Sequence, residues 1–600
     1  MNTTYQPQDI LKIYYGYDSF RPQQQAIIDS ILAGHDTLAI MPTGGGKSIC
    51  YQIPALLLSG VTLVLSPLIA LMKDQVDALL DLGLPVTLLN STLSFEEYRQ
   101  RVWEIKKGRY KIIYLAPESL SSSFISELAA TVPIRHIAVD EAHCISSWGH
   151  DFRLSYREIA GFIEQLPQRP VISAFTATAT PQVKADIIES LCLSQPDIYE
   201  TGYERENLSL NVVKDSNKLF FLLDYLTKHV TQSGIIYCAT RKETEEVYEV
   251  LHRKGFAAGY YHAGLSPERR RQVQDQFLYD DITVMVATNA FGMGIDKSNV
   301  RYVIHFNMPE TLEAYYQEAG RAGRDGARAE CYLLYSPRDL QIRRYLIEKA
   351  AENGEISQEL LHHRYYKLQQ MNGYCHTNRC LSAYILEYFG DTDAADCNRC
   401  CHCLKEYEEK DITIEAMKAI SCVMRMRQGY GLQLTAAVLK GSNAKKVLQA
   451  GFQHLSTYGL MAHQSLEEIR DFLLLLVAEG YLYQTSEAYP ILMVTPLGKS
   501  VLLGKESVIQ KVPLVRRSAD ENQIFETLRA VRYQLAKNAH LPPYMIFSDK
   551  TLLEMARKLP ATEEEMLEIS GVGTLKYQKY GSAFLTALQK LAGEHNALPL

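Results

Sequence analysis

Short β-branched runs alternate with helix-like segments over the first 340 residues, and this alternation constrains the fold more than any other feature. The runs are TLAIM, VTLVLS, YKIIYLA, HIAVDEA and PVISAFTA, then GIIYCAT, AAGYYHAG, ITVMVAT and VRYVIHF. Such runs are typical of parallel strands covered on both faces, and strands that alternate with helices build doubly wound α/β domains. The sequence therefore predicts two tandem α/β lobes, at 1–205 and 206–340, with a cleft between them.

Length and composition limit the class of protein. The chain has 600 residues, 47% hydrophobic and 22% charged, which corresponds to about three to six domains and excludes a largely disordered chain or a small disulfide scaffold. No apolar run reaches about 18 residues, so we expect no membrane span. The polar N-terminus predicts no secretory signal, and scattered cysteines then favour the cytoplasm. A net charge of −7 does not by itself indicate a nucleic-acid binder.

A glycine-rich loop, MPTGGGKS, follows the first predicted strand and precedes a helix-like segment. Its glycines let backbone N–H groups converge on a phosphate, and the helix N-terminus adds its dipole. The lysine supplies a positive charge for the β- and γ-phosphates, and the serine can ligate Mg²⁺. The general pattern starts with glycine, whereas this chain has Met41 there, and a glycine turn that merely caps a strand is the alternative. The predicted phosphate-binding residues are Gly44, Gly45, Gly46, Lys47 and Ser48.

The segment DEAH at 140–143 ends another apolar strand. A carboxylate there faces the edge of the sheet where α/β folds bind ligands. Asp140 could hold Mg²⁺, and Glu141 could orient the attacking water as general base. By itself DEAH could be a solvated helix start. Together with the upstream loop it predicts a nucleoside triphosphatase.

The second lobe has no GKS loop of its own and carries QEAGRAGRDG at 317–326. Guanidinium groups stabilise the charge that develops on a transferring phosphoryl group. If the cleft closes, Gln317, Arg321 and Arg324 reach the nucleotide, and hydrolysis becomes dependent on closure. A solvated basic helix is the alternative, which the interspersed glycines disfavour because they weaken an exposed helix.

Six of the twelve cysteines lie between Cys375 and Cys403, and four of them have the spacing C-x16-C-x2-C-x2-C. Two CxxC steps let thiolates converge on one tetrahedral Zn²⁺, and four sulfur ligands leave no open coordination position. Cys375 and Cys401 are then surplus. A redox CxxC is the alternative, but no thioredoxin-like context surrounds it. The predicted ligands of this structural zinc site are Cys380, Cys397, Cys400 and Cys403.

The ordered motifs of the two lobes resemble those of superfamily-two helicases. They are FRPQQQ, MPTGGGKS, SPLIALMKDQV, APES, DEAH, SAFTATAT, ATNAFGMGIDK and QEAGRAGRDG, and DEAHCISSWGHDFRLSY narrows the resemblance to the RecQ family of DNA helicases, most of all its bacterial members. The resemblance implies two RecA-like lobes, a zinc-binding module, a winged-helix domain and a small helical HRDC domain. The expected bounds are 1–205, 206–340, 341–407, 408–510 and 520–592.

The resemblance also implies roles at the nucleotide. Two side chains of an adenine-recognition motif sandwich the base while an amide reads its edge, and the matching residues are Tyr17, Arg21 and Gln24. Arg324 matches the arginine finger, with Arg321 and Gln317 beside the γ-phosphate. His143 and Thr176 match positions that link the nucleotide site to the DNA site.

An aromatic-rich loop follows DEAH and matches the family segment that contacts single strands and couples DNA to hydrolysis. Exposed aromatic rings stack on bases regardless of sequence, at about 1–3 kcal/mol per base. A hydrophobic loop packed into the core is the alternative, which the interleaved polar residues disfavour. The residues of this loop are Trp148, His150, Phe152, Arg153 and Tyr156.

The C-terminal third resembles the winged-helix and HRDC domains of the family. A short hairpin is predicted around 481–495, with Tyr489 at its tip as a candidate strand separator, then a linker at 505–520 and an amphipathic helix at 521–539. Lys440, Lys445 and Lys446 are placed near a helix start, where they could neutralise duplex phosphates; an ordinary solvated face is the alternative. In the HRDC domain, a GxG turn with nearby lysines could hold a phosphate or serve as a helix connector, and docking of a protein partner is as well supported as DNA binding.

The resemblance implies an ATP- and Mg²⁺-dependent DNA helicase that travels 3′→5′ on single-stranded DNA and unwinds duplex, forked and junction DNA in recombination and repair. Single-strand-binding protein and recombination or topoisomerase proteins are candidate partners of a monomeric, nucleoid-associated enzyme. An RNA helicase and a scaffold with a vestigial ATPase are the alternatives. The aromatic-rich loop and zinc module disfavour the first, and the full set of catalytic residues disfavours the second.

Overall fold

The computed structural model divides into two compact units, Met1–Lys511 and Val512–Leu600. The residues that the structure describes are 5–67, 69–90, 93–146, 148–149, 152–214, 217–292, 297–354, 356–404, 407–487, 489–513, 519–539, 543–569 and 571–595. His150, one of the predicted residues of the aromatic-rich loop, lies outside them.

A parallel sheet forms the centre of the first lobe, and its strands run in the order β3-β4-β2-β5-β6-β1-β7. The strands are β1 Thr37–Ile40, β2 Val61–Leu65, β3 Val86–Leu89, β4 Ile112–Leu115, β5 Ile134–Val139, β6 Val171–Thr176 and β7 Asp197–Glu200. The helices of this lobe are α1 Pro7–Ile10, α2 Gln24–Ala33, α3 Lys47–Leu57, α4 Ile69–Asp81, α5 Phe95–Lys106, α6 Ser123–Thr131, α7 Glu158–Glu164 and α8 Pro181–Ser190. Single turns of 3₁₀ or π helix lie at Leu11–Tyr15, Pro117–Ser119, Ala142–Ile145 and Leu154–Arg157.

The second lobe repeats the architecture with a parallel sheet in the order β10-β11-β9-β12-β13-β8. Its strands are β8 Leu208–Val213, β9 Ser233–Tyr237, β10 Ala258–Tyr261, β11 Val284–Ala287, β12 Val300–His305 and β13 Ala329–Leu334. Its helices are α9 Lys218–Lys228, α10 Arg241–Arg253, α11 Pro267–Leu278 and α12 Leu312–Ala319. The prediction of two tandem α/β lobes with parallel sheets is confirmed.

Strand register brings the carboxyl ends of β1, β5 and β6 together. Ile40 pairs with Thr176, and Val139 pairs with Ala174 on the other side of β6. The phosphate loop follows Ile40 and the DEAH segment follows Val139. Both motifs therefore lie at one edge of the sheet, where ligands bind in open α/β folds.

A helical region and a winged-helix region complete the first unit. Their helices are α13 Pro337–Glu352, α14 Gln358–His376, α15 Leu381–Tyr388, α16 Cys401–Leu404, α17 Thr413–Arg425, α18 Leu432–Lys440, α19 Lys445–Gln449, α20 Leu466–Ala478 and α21 Pro496–Leu502, with a 3₁₀ turn at Phe452–His454. The strands are β14 Tyr407–Asp411, β15 Leu482–Gln484, β16 Leu492–Val494 and β17 Ile509–Pro513. The predicted hairpin is confirmed as the antiparallel pair of β15 and β16.

Two sequence interpretations need correction here. The predicted linker at 505–520 contains strand β17, and Ile412 N–H donates to the Val508 carbonyl at 2.9 Å where the two ends of the winged-helix region meet. Lys440 ends helix α18 rather than lying near a helix start, and its ammonium donates to the Ala462 and Gln464 carbonyls, both at 2.7 Å. The Lys440 ammonium is therefore hydrogen-bonded within the domain.

The second unit is helical in the part of it that the structure describes, and its helices pack around a hydrophobic core that includes Leu528, Met555 and Phe584. They are α22 Ala519–Asn538, α23 Pro543–Ile546, α24 Asp549–Lys558, α25 Glu563–Leu567, α26 Thr574–Lys576 and α27 Ser582–His595, with a π turn at Tyr577–Gly581. Across both units, none of the helices among the described residues is long and apolar enough to cross a membrane.

Candidate nucleotide and DNA site

The phosphate loop needs glycine at two positions where its backbone lies in the left-handed region. Gly46 precedes α3 with a φ of 81°, in the left-handed region that favours glycine, and a Cβ there would collide with the Gln24 amide. Gly44 also has a φ of 81°, and a Cβ there would lie 3.5 Å from Cγ of Arg324 in the second lobe. The backbone conformation therefore requires glycine at both positions, and Gly44 lies against Arg324 of the opposite lobe.

The predicted adenine-binding residues lie beside this loop. Gln24 is buried, accepts a hydrogen bond from Arg21 N–H at 2.9 Å and donates to the Gly46 carbonyl at 3.1 Å. The Arg21 guanidinium donates to the Gly44 carbonyl. Tyr17 is 55% exposed, so its ring is free to stack on a base. Arg21 and Gln24 thus also brace the loop, and base binding would exchange some of these bonds.

The two carboxylates of DEAH occupy the floor of the cleft. Glu141 Oε1 lies 4.0 Å from Lys47 Nζ, and Asp140 Oδ1 accepts the Glu141 N–H at 2.9 Å. Glu141 has a φ of 47°, and a non-glycine residue in that region stores strain that the surrounding structure has to overcome. Burial, and then the neighbouring Glu141 charge, raise the pKa of Asp140 to about 7. A cation in the cleft would relieve this cost.

His143 joins the carboxylates to strand β6. The ring is buried, and its Nδ1 lies 2.9 Å from Thr176 Oγ1 and 3.3 Å from Glu141 Oε2. The Thr176 hydroxyl in turn donates to the Thr178 carbonyl at 3.1 Å. A continuous chain of polar contacts therefore runs from Glu141 through His143 to Thr176 and Thr178, while the role of His143 and Thr176 in linking the nucleotide site to the DNA site stays a prediction.

The second lobe places its polar residues on the same cleft, whose volume is about 680 Å³. Gln317 and Arg321 are buried, and the Arg321 guanidinium donates to the Gly292 carbonyl of its own lobe. Arg324 crosses to the phosphate loop, as its approach to Gly44 shows. The structure thus brings together predicted residues from both lobes: Tyr17, Arg21, Gln24, Gly44, Gly45, Gly46, Lys47, Ser48, Asp140, Glu141, Gln317, Arg321 and Arg324.

The donor set fits a hydrated Mg²⁺. The Ser48 hydroxyl and the Asp140 carboxylate line the cleft next to Lys47, and oxygen ligands combined with substrate phosphates are what Mg²⁺ prefers. Glu141 Oε2 is buried, and His143 Nδ1 lies 3.3 Å from it. Such an acceptor suits an attacking water.

The aromatic-rich loop connects the carboxylates to the region after the second lobe. Phe152 packs under the Arg157 guanidinium, 5.1 Å from its ring centroid, and Arg153 donates to the Pro67 carbonyl at 2.7 Å. Tyr156 differs from expectation. It is fully buried and its hydroxyl donates to the Asp140 carbonyl at 2.9 Å, so it anchors the loop at the end of β5 and does not stack on bases.

Trp148 is held by helix α14. Its ring meets His363 edge-on with centroids 4.5 Å apart, and its carbonyl accepts a hydrogen bond from Lys367 Nζ at 2.6 Å. Burial, and then the Lys367 charge, lower the pKa of His363 to about 4, so the ring is neutral at neutral pH. Lys367 also pairs with Glu313 of α12 at 2.7 Å, with both side chains buried.

The sequence motifs predict no role for His363, Lys367 or Glu313. Glu313 lies on the same helix as Gln317, so the contacts run from the aromatic-rich loop to the helix that carries Gln317, a predicted neighbour of the γ-phosphate. The sequence gives no signal for this pairing, because Glu313 and Lys367 stand among other polar residues in α12 and α14 and lie far apart along the chain.

The four predicted zinc ligands form a compact cluster, with their sulfur atoms all within 4.8 Å of one another. Cys400 Sγ lies 3.5 Å from Cys403 Sγ and 4.0 Å from Cys380 Sγ, and Zn–S bonds of about 2.3 Å require sulfur separations near 3.8 Å in a tetrahedron. Backbone N–H groups of Ala383 and Cys397 donate to Cys380 Sγ. The geometry fits a tetrahedral Zn²⁺, and the surplus Cys375 and Cys401 lie outside the cluster.

The C-terminal candidates have mixed environments. Tyr489 is 89% exposed between β15 and β16, with nothing in its burial that would prevent contact with DNA. Lys445 and Lys446 begin α19. In the second unit, Gly571 has a φ of 90° and packs against Thr551, so this glycine serves the turn itself.

Comparison with known proteins identifies the family. "ATP-dependent DNA helicase RecQ" of Bacillus subtilis is 46% identical over 587 residues, which cover 98% of each chain. The protein of that name from Pasteurella multocida is 38% identical over 596 residues, covering 97% of this chain and 93% of the relative. This chain belongs to the RecQ family of ATP-dependent DNA helicases. A putative ATP-dependent RNA helicase of Acanthamoeba polyphaga mimivirus is 37% identical over 509 residues, 82% of this chain and 91% of the relative.

Family descriptions cover nearly all of the RecQ chain. They are DEAD/DEAH box helicase at 21–187, helicase conserved C-terminal domain at 217–326, RecQ zinc-binding at 337–404, RQC domain at 406–519 and HRDC domain at 521–588. The predicted order of two RecA-like lobes, zinc-binding module, winged-helix domain and HRDC domain is confirmed. The four-cysteine cluster is the zinc site of this family.

Proposed function

We propose that this helicase travels 3′→5′ on single-stranded DNA and opens duplexes, forks and junctions in recombination and repair. The observation that carries the motor mechanism is the approach of Arg324, in the second lobe, to Gly44 in the phosphate loop of the first. A nucleotide bound there contacts both lobes at once. Its hydrolysis can therefore change the separation of the lobes, which is the step that moves a strand.

The residues of the cleft divide the chemistry among them. Lys47 exchanges its contact with Glu141 for the β- and γ-phosphates, and Glu141 then accepts the proton of the attacking water. Arg324 stabilises the negative charge that grows on the γ-phosphate oxygens. Ser48 and Asp140 would hold Mg²⁺, which supplies charge neutralisation on the phosphates when it is bound.

Adenine recognition is proposed for Tyr17, Arg21 and Gln24. The exposed Tyr17 ring and the Arg21 guanidinium can enclose a base, while the Gln24 amide offers one donor and one acceptor. Because Gln24 and Arg21 also bond to the phosphate-loop carbonyls, base binding and loop shape are connected.

Single-stranded DNA is proposed to bind across the lobes and engage the aromatic-rich loop. Trp148 and Phe152 offer aromatic surface for stacking on bases. Displacing Trp148 from α14 would release Lys367, whose buried partner Glu313 lies on the helix of Gln317. This contact route supports a coupling of DNA binding to hydrolysis, and the contacts from Glu141 through His143 to Thr176 offer a second route.

Strand displacement on a panel of substrates tests the proposal. We expect ATP-dependent unwinding of 3′-tailed and forked duplexes, none of 5′-tailed or blunt duplexes, and DNA affinity that falls steeply with salt. Unwinding that starts from 5′ tails would contradict the direction. An RNA arm is included because one relative is named an RNA helicase, and stronger stimulation by RNA than by DNA would change the substrate. The protein partners, the monomeric state and a role for Tyr489 in strand separation stay predictions.

A further inference from the structure

The chain crosses from the first lobe to the second at residues 201–207, between β7 and β8. We infer that Arg205 in this hinge is a positioning residue that ties the phosphate loop of the first lobe to the arginine-bearing turn of the second. The inference rests on the proposed role of Arg324 and deepens it, because it names the group that holds the two loops in register.

One guanidinium makes four hydrogen bonds to backbone carbonyls of both lobes. Arg205 Nη1 donates to Thr43 at 3.0 Å and to Gly320 at 3.3 Å. Arg205 Nη2 donates to Ala322 at 3.1 Å and to Gly323 at 3.3 Å. Thr43 directly precedes Gly44, and the three other acceptors flank the proposed catalytic arginines in the sequence. A single side chain is therefore hydrogen-bonded to both loops at once.

The loops that Arg205 joins are in direct contact. A Cβ added at Gly320 would lie 3.7 Å from Cβ of Thr43. On the other side of the turn, Asn207 Nδ2 donates to the Gly323 carbonyl at 2.8 Å. The turn from 320 to 323 is thus held by two hinge residues while it packs on the phosphate loop.

The hinge itself is anchored, so Arg205 starts from a fixed position. The Tyr203 ring stacks on Phe389 with centroids 4.4 Å apart, and its hydroxyl donates to the Ala179 carbonyl at 2.8 Å. The Tyr316 hydroxyl of α12 donates to the Tyr203 carbonyl at 2.7 Å. Tyr203, two positions before Arg205, therefore contacts the first lobe, the second lobe and the zinc-binding module.

Arginine suits this task better than lysine. Its planar guanidinium presents five donors in a rigid fork, whereas an ammonium is a compact charge that cannot span two loops with the same geometry. The acceptors are carbonyls of the protein backbone, so Arg205 acts on the nucleotide only through the loops that it holds. Misplacement of a catalytic group by about 1 Å can lower turnover about a hundredfold.

The test compares Arg205→Ala and Arg205→Lys with Glu204→Gln in the full-length protein. Glu204 lies next to Arg205 in the hinge, pairs with Arg399 of the zinc-binding module at 2.6 Å and makes a matched control outside the cleft. We expect Arg205→Ala to lower kcat of DNA-stimulated ATP hydrolysis about 10- to 100-fold while KM for ATP changes little. Arg205→Lys should recover only a small part, and Glu204→Gln should retain the wild-type rate.

Hydrogen exchange gives a second readout that a general loss of stability would not reproduce. With ATP analogue and single-stranded DNA bound, Arg205→Ala should raise exchange in segments 41–48 and 318–326 together and leave the zinc-binding module unchanged. Wild-type kcat, a loss equal to that of Glu204→Gln, or faster exchange throughout the chain would overturn the inference. Exchange does not depend on turnover, so a failed Arg324 assignment and a failed Arg205 tie give separate results.

Discussion

The zinc cluster and the nucleotide cleft are both assembled from predicted residues, but they are assembled over different distances. The four sulfur ligands lie between residues 380 and 403, whereas the cleft joins Tyr17 to Arg324 through two sheets and a hinge. Local spacing fixes the first site almost completely. The second depends on how two lobes meet, which is decided by contacts such as those of Arg205. We therefore expect one substitution among the zinc ligands to abolish most metal binding. Single substitutions in the cleft should instead lower hydrolysis by amounts that differ from residue to residue.

Loss of one zinc ligand tests the local site and should have the largest effect. Structural zinc sites contribute on the order of 10 kcal/mol to folding, so Cys397→Ala should lose most of its bound metal and much of its soluble yield. Metal content by atomic emission checks this. Cys401→Ala is the matched control, because this neighbouring thiol lies outside the cluster and the variant should keep its zinc. Unchanged metal in Cys397→Ala would contradict the four-thiolate site.

Removal of the proposed finger tests the distributed site. Arg324→Ala should lower kcat for ATP at least about a hundredfold, since arginine fingers supply this much or more in phosphoryl transfer. Binding of a fluorescent ATP analogue should remain largely intact, because the phosphate loop is unchanged. The exposed Arg328 provides a control four residues away, and Arg328→Ala should hydrolyse at the wild-type rate. Near-normal turnover in Arg324→Ala would remove Arg324 from the mechanism.

Trp148→Ala tests whether the aromatic-rich loop connects DNA to the cleft. The lost stacking and the altered contact with α14 should lower DNA-stimulated hydrolysis about tenfold, while hydrolysis without DNA stays the same. Steady-state rates with and without oligonucleotide measure the ratio. Trp148→Phe keeps an aromatic face and should retain most of the stimulation. If both variants were stimulated like the wild type, the loop would not couple the sites.

The smallest expected effect concerns Asp140, whose pKa is raised to about 7 by burial and by Glu141. An unfolded Asp titrates near 4, so the stability that this group contributes is present below about pH 4 and is lost as the pH rises to about 7. Asp140→Asn cannot ionise and should raise the melting temperature above that of the wild type by about 2–4 °C at pH 8, and by less at pH 5. Scanning fluorimetry with EDTA and without nucleotide checks this. An equal difference at both pH values would contradict the shifted pKa.

Most interior strands and the edge strand β10 could be predicted from the sequence, whereas the edge strands β3, β7 and β8 and the interior strand β13 could not. β2 is buried throughout and appears in the sequence as a continuous apolar run. β7 closes one edge of the first sheet, its residues Asp197–Glu200 alternate between half-buried and exposed, and it begins and ends with an acidic side chain. β8 at the edge of the second sheet is also mostly half-buried. Edge strands have one open side, so they need no continuous apolar run.

The residues that carry the chemistry of the site could be predicted more completely than the contacts that join the site to the rest of the protein. Lys47, Asp140 and Glu141 stand in motifs whose spacing states their role, and the structure places them on one cleft. Tyr156 also lies in a recognisable motif, which predicts contact with DNA, but the side chain is buried and anchors the loop instead. Arg205 and Lys367 belong to no motif that spacing could reveal, because their partners are backbone carbonyls or charges far away in the sequence.

A structure with ADP, aluminium fluoride and single-stranded DNA tests the central claim most directly, namely that both lobes grip one nucleotide. We predict that the Arg324 guanidinium lies within hydrogen-bond distance of the fluoride that stands for the γ-phosphate. Arg205 should still bridge Thr43 and Gly320. An active, DNA-bound complex in which Arg324 points away from the nucleotide would contradict the account.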